Sequence, residues 1–106
     1  MAKALTGDLH PLDRLFERIL SRADADPDKS RTAKLLRQGT HKCAKKLGEE
    51  AVETALAAVE RDKDAVVGES ADLLFHLLVV WLSLGLKPAD IYAELARRET
   101  PGARKN

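Results

Sequence analysis

The run Leu73–Leu84, LLFHLLVVWLSL, is apolar on nearly every side when written as a helix. Such a helix has to be surrounded, because each uncovered side chain leaves hydrocarbon in water. A chain of 106 residues has too little other mass to enclose it. The run therefore predicts a homo-oligomer, most simply a two-fold dimer whose bundle is completed by the partner's helices. It contains His76 and is shorter than the ~18–20 apolar residues needed to cross a bilayer, so no membrane is expected.

Apolar residues make up 44% and charged residues 33%, a balance suited to a helix-rich globular domain rather than a disordered chain. The net charge is +1 with both signs interspersed, which lacks the one-sided basic field of a general nucleic-acid binder. One cysteine, Cys43, cannot cross-link the fold internally and reads as a small packing residue. The beginning, MAKALTGDLHPLD, has no apolar core of the length a secretory signal needs, and a cytoplasmic location is expected.

Breakers divide the chain into five helices, an all-α fold. Residues 1–9 are expected to be a flexible N-terminus, 10–98 the folded domain and 99–106 a flexible tail. Pro11 suits the first turn of a first helix, with Leu9, Leu12, Phe16 and Ile19 as its stripe and an end near Arg22. After a loop at residues 23–29, Ser30 or Thr32 can cap a short second helix that Gly39 stops. Thr40 can cap a third helix running to about Arg61, with Leu47, Ala51, Val52, Ala55, Leu56 and Val59 as its apolar face. Gly48 in that helix suggests a close approach to its backbone. The turn is expected at Arg61–Asp64 and the fourth helix from about Ala65 to Leu84. Pro88 starts a fifth, with Ile91, Tyr92 and Leu95 facing inward.

Two acidic clusters, Glu49/Glu50/Glu53 and Glu69/Asp72, flank that turn. With Glu49 at zero on a helical wheel, Glu53 falls at about 40° and Glu50 at about 100°, beside the apolar arc of roughly 160° to 340°. Glu69, Asp72 and His76 share one face of the fourth helix. In an antiparallel hairpin the clusters come level if the turn centres near residue 61. Converging carboxylates repel unless a cation joins them, and an all-oxygen set favours Mg²⁺, or Mn²⁺, over zinc. Magnesium held by carboxylates on one side commonly meets phosphates on the other. No Glu has His three residues later, which disfavours a di-iron bundle. A solvated acidic face beside Lys45 and Lys46 is the plain alternative for the third helix, and a packed core histidine for His76.

The motif Glu49-Glu50-x-x-Glu53 followed by Glu69-x-x-Asp72 resembles the signature of the MazG-like all-α nucleoside triphosphate pyrophosphatases. SRTAKLL at Ser30–Leu36, KLGEEAVETALAA at Lys46–Ala58 and ESADLLFHLLVVW at Glu69–Trp81 resemble the phosphoribosyl-ATP pyrophosphohydrolase family of histidine biosynthesis. The resemblance covers roughly residues 10 to 98. It implies an interlocked helical-bundle homodimer that hydrolyses phosphoribosyl-ATP to phosphoribosyl-AMP and pyrophosphate with Mg²⁺. By position it implies Glu50, Glu53, Glu69 and Asp72 as metal ligands, with Glu49 as the remaining acidic, catalytic position. Ser30, Thr32, Lys34, Gly39 and Lys46 match positions that meet the substrate, and His76 is placed with them. Arg31 departs from the family, which commonly has an aromatic residue there; an arginine could contact phosphate or stack on a base. Two other readings stay open, a house-cleaning pyrophosphatase acting on aberrant nucleotides and a helical dimerisation module.

Overall fold

Prolines, glycines and caps set the element boundaries. The computed structural model describes residues 10–102 and contains α1 Pro11–Arg22, α2 Arg31–Gln38, α3 Thr40–Val59, α4 Lys63–Ser83 and α5 Pro88–Arg98. There is no strand among the described residues. The expected N-terminal arm, residues 1–9 with Leu9 of the first stripe, and residues 103–106 of the expected tail lie outside the described residues.

Pro11 and Pro88 open their helices, where a missing N–H leaves no acceptor unsatisfied. Of the two candidate caps for α2, Ser30 is used: its Oγ accepts from the Ala33 N–H at 3.1 Å. Thr40 is not a cap. Gly39, at φ 96°, turns the chain from α2 into α3, and Thr40 is already helical, its hydroxyl donating to Ser83 Oγ at 3.0 Å.

The α3–α4 turn is shorter than expected and spans Glu60–Asp62. Arg61 at φ 60° adopts the left-handed conformation that ends many helices. The Arg61 N–H donates to the Ala58 carbonyl and the Asp62 N–H to the Ala57 carbonyl, closing α3. Asp62 then caps α4 by accepting from the Ala65 N–H at 3.1 Å, so α4 begins at Lys63 rather than Ala65. Asp62→Ala is expected to cost about 1 kcal/mol of stability, readable as a lower urea midpoint at unchanged m-value.

The α3–α4 hairpin is the most extensive helix–helix packing in the chain, and α1 and α2 lie against it. The core joins Phe16 and Ile19 of α1, Leu35 of α2, Cys43 of α3, and Leu78 and Val79 of α4. Cys43 is a packing residue as expected, and its Sγ donates to the Leu35 carbonyl at 3.2 Å. Burial raises the pKa of its thiol. Tyr92 of α5 donates to Asp13 of α1 at 3.1 Å, fastening the last helix to the first.

Two expectations fail here. The inward face of α3 is Cys43, Leu47, Glu50, Thr54 and Ala57, whereas Val52, Leu56 and Val59 are 58%, 57% and 79% exposed. Of the three residues expected to face inward on α5, Leu95 is half exposed, while Ile91 and Tyr92 are partly covered. Among the described residues, no atom outside the helix's own backbone and the glycine's two chain neighbours lies within 4 Å of a Cβ built on Gly48. The first failure has a physical cause. The wheel identified the broadest apolar arc, but the chain packs α3 on α4 through its small and polar residues and leaves that arc open.

The length and composition of α4, 21 residues with a mean hydropathy of 1.7 over its most apolar stretch, would suffice to cross a membrane. Its contacts with α1, α2 and α3, and the ionisable groups Glu69, Asp72 and His76 along it, suit a core helix of a soluble protein.

Candidate active site

The hairpin sets the two acidic clusters level, as the register argument requires. One carboxylate oxygen from each of Glu50, Glu69 and Asp72 lies within 4.8 Å of the others. Glu50 comes from the inward seam of α3 and is only 9% exposed. It therefore sits nearer the core than the flanking position the wheel assigns it, because the seam itself runs through residue 50. Oε1 of Glu50 and Oε1 of Glu69 are both buried without a hydrogen-bond partner. A buried carboxylate oxygen left unpaired is costly, and two in one cluster make a group that could hold a metal ion.

Burial, more than any single neighbour, raises the pKa of the Glu69 carboxyl. The neighbouring carboxylates of Glu53, Glu50 and Asp72 push it further in the same direction. Glu53 therefore adjoins the cluster although its side chain is exposed. A carboxyl whose pKa is raised on folding contributes stability below its unfolded value, about 4.3, that is lost as pH rises through the folded value. Glu69→Gln is accordingly expected to raise the melting temperature of metal-free protein at pH 8, with the gain shrinking toward pH 4. Thermal melts with chelator present would check this.

Glu49 stands apart: it is exposed and pairs with Lys46 at 3.2 Å. His76, fully buried on α4, accepts from Arg31 Nη2 at 2.8 Å through Nε2. A guanidinium can only donate, so Nε2 is unprotonated and the neutral ring carries its proton on Nδ1. Burial, then the Arg31 and Lys46 charges, lower the His76 pKa, opposed by Asp72 and Glu49. The Nδ1 atom is itself buried without a partner. Arg31 also lies over the Phe75 ring, 4.9 Å from its centroid. Its departure from an aromatic residue is thus accommodated by stacking on α4.

Of the other predicted substrate positions, Ser30 and Thr32 are each 7% exposed, Lys34 is exposed, and Gly39 forms the α2–α3 junction. Beside Ser30 and Thr32 lies a cavity of about 250 Å³ walled by Leu15, Arg18, Ile19, Arg22, Lys29 and Phe75, together with Arg31. Its basic character is absent from the sequence expectations. The signal for it is Arg18 and Arg22 at i, i+4, one face of the first helix.

The structure is thus an all-α hairpin that gathers carboxylates which could hold a metal ion, with a basic cavity alongside. The phosphoribosyl-ATP pyrophosphohydrolase family model matches residues 12–99, and the chain belongs to that family. The phosphoribosyl-ATP pyrophosphatase of Parvibaculum lavamentivorans is 57% identical over 95 residues, 90% of this chain and 87% of the relative. That of Paramagnetospirillum magneticum is 58% identical over 87 residues, 82% of this chain and 80% of the relative. That of Granulibacter bethesdensis is 52% identical over 88 residues, which cover 83% of this chain but 55% of the longer relative.

Proposed function

We propose that this chain hydrolyses phosphoribosyl-ATP to phosphoribosyl-AMP and pyrophosphate, the second step of histidine biosynthesis, in the cytoplasm and with Mg²⁺. The observation that carries the reading is the convergence of Glu50, Glu69 and Asp72 with two buried carboxylate oxygens unpartnered, in a chain of this family. The donor set fits the ion: all ligating atoms are carboxylate oxygens, and no Cys or paired His enters the cluster. Glu50, Glu53, Glu69 and Asp72 would hold it, with Mn²⁺ a workable substitute. Bound there, Mg²⁺ supplies positive charge to the phosphate oxygens and to the leaving pyrophosphate.

The products define the bond broken, the anhydride between the α- and β-phosphates. Water adds to phosphorus, pyrophosphate leaves with the bonding electrons, and the water's proton passes to a carboxylate. Glu49, outside the three-carboxylate group, is the acidic residue assigned to orient that water. Lys46, beside Glu49, and Lys34 carry charge toward phosphate oxygens. The active unit is a homodimer. The exposed stripe Val52–Leu56–Val59 on α3, with Val67 and Leu74 of α4, supports this, as does the open shape of the single chain. Its radius of gyration is 15.7 Å, against about 13 Å for a closed domain of this length.

Steady-state hydrolysis of phosphoribosyl-ATP, compared with a panel of nucleoside triphosphates, tests the assignment. Preference for phosphoribosyl-ATP, abolished by chelator and restored by Mg²⁺, is expected. Equal or better turnover of ordinary or aberrant triphosphates would replace it with a house-cleaning role. Rescue of a histidine auxotroph lacking this step is the corresponding test in cells.

A further inference from the structure

The cavity between α1 and the start of α2 is unlike the carboxylate cluster in every chemical respect. Arg18, Arg22, Lys29 and Arg31 line it, and no acidic side chain does. Arg18, Arg22 and Lys29 make no ion pair among the described residues. Arg31 uses one of its five N–H donors on His76 and keeps the others. All four are exposed and solvated, so water screens their mutual repulsion, but an anion seated among them would be attracted by each.

The backbone adds donors. In the first turn of α2 the Ala33 N–H is taken by Ser30 Oγ and the Lys34 N–H by the Ser30 carbonyl. The Arg31 and Thr32 N–H groups have no acceptor among the described residues. Thr32, 7% exposed, lines the cavity, and its hydroxyl makes no hydrogen bond among the described residues. Unpaired cations, free helix N–H groups and an unpartnered hydroxyl on a buried side chain thus meet at one place.

We propose that this cavity is a phosphate-monoester subsite holding the lone 5′-phosphate of the substrate's phosphoribosyl group. It rests on the function proposed above, under which the substrate carries phosphate at two ends. The triphosphate belongs with the carboxylates through the metal; the lone phosphate, a dianion needing no metal, belongs with arginines and lysine. At about 250 Å³ the cavity is smaller than those that enclose a whole drug-sized ligand and suits a terminal group. The two sites are joined by α4: Phe75, in the cavity wall, stands three residues, about 4.5 Å along the axis, beyond Asp72. Arg18, Arg22 and Lys29 would then decide whether a nucleotide bearing a phosphoribosyl group is preferred over a plain triphosphate.

The test uses ribose 5-phosphate by calorimetry on the full chain without metal, and phosphoribosyl-ATP in steady state. Wild-type protein is expected to bind ribose 5-phosphate, Arg18→Ala/Lys29→Ala at least about tenfold more weakly, and Glu69→Gln unchanged. The double variant should raise KM for phosphoribosyl-ATP about tenfold or more with kcat within about twofold, while its circular dichroism and melting stay near wild type. Wild-type-like ribose 5-phosphate binding and KM in the double variant would overturn the subsite while leaving the proposed reaction standing. Equal losses toward phosphoribosyl-ATP and ATP would also overturn it, by moving the cavity's role to the triphosphate. Failure of wild-type protein to turn over phosphoribosyl-ATP at all counts instead against the reaction, and the calorimetric arm still decides whether the cavity takes a phosphate monoester.

Discussion

Glu50→Gln and Glu53→Gln are each expected to lower kcat on phosphoribosyl-ATP by about 10²- to 10⁴-fold, the rate equivalent of losing several kcal/mol of charge stabilisation. Glu50 should show the larger loss. Its carboxylate is enclosed in the α3–α4 seam with one oxygen unpaired, so no solvent or neighbour can replace the missing negative charge. An amide at the same place also turns a donor toward the cation. Glu53 is exposed and adjoins the cluster from its solvent side, where water can substitute for part of what it supplies. Calorimetry should show Mg²⁺ affinity falling in both variants. Glu60→Gln, at the C-terminal cap of α3 and outside the cluster, serves as the control and should stay within about twofold of wild type. Near wild-type rates in both Glu50→Gln and Glu53→Gln would remove these residues from the site.

Leu56→Asp is expected to convert the proposed dimer to a monomer. The residue is 57% exposed in the single chain, between Val52 and Val59 on an otherwise apolar stripe. Burying a leucine is worth about 1.5–3 kcal/mol, and a two-fold axis counts the loss twice. The dissociation constant should therefore rise by roughly 10²- to 10⁴-fold, before the cost of enclosing a carboxylate is added. Light scattering at micromolar concentration would show the change directly. An unchanged mass would mean that the stripe is covered by something other than a second copy, or by nothing.

Much of this architecture was legible in the chain because helical period and breaker residues are local properties. Pro11, Gly39 and Pro88 mark ends that the structure reproduces, and Cys43 packs as a small apolar residue should. The level placement of the two acidic clusters followed from counting residues on either side of a turn centred at Arg61, and the hairpin has that register. Boundaries were less secure where two caps competed. Ser30 displaced Thr32, and Asp62 moved the start of α4 two residues earlier than Ala65.

The sequence by itself determined which residues can carry charge, where helices begin and end, and which carboxylates can share a face. Only the tertiary structure decided which face of α3 meets α4. A wheel ranks arcs by apolarity, but helix packing is settled by shape. Thr54 and Ala57 lie along the seam, Glu50 is drawn into it, and the broader apolar arc is left for another surface. Tertiary structure also paired Arg31 with His76 and Phe75 across 45 and 44 residues of chain, and gathered Arg18, Arg22 and Lys29 around one cavity. The contacts of Arg31 with residues so far along the chain leave no periodic trace in the sequence, because nothing local depends on them.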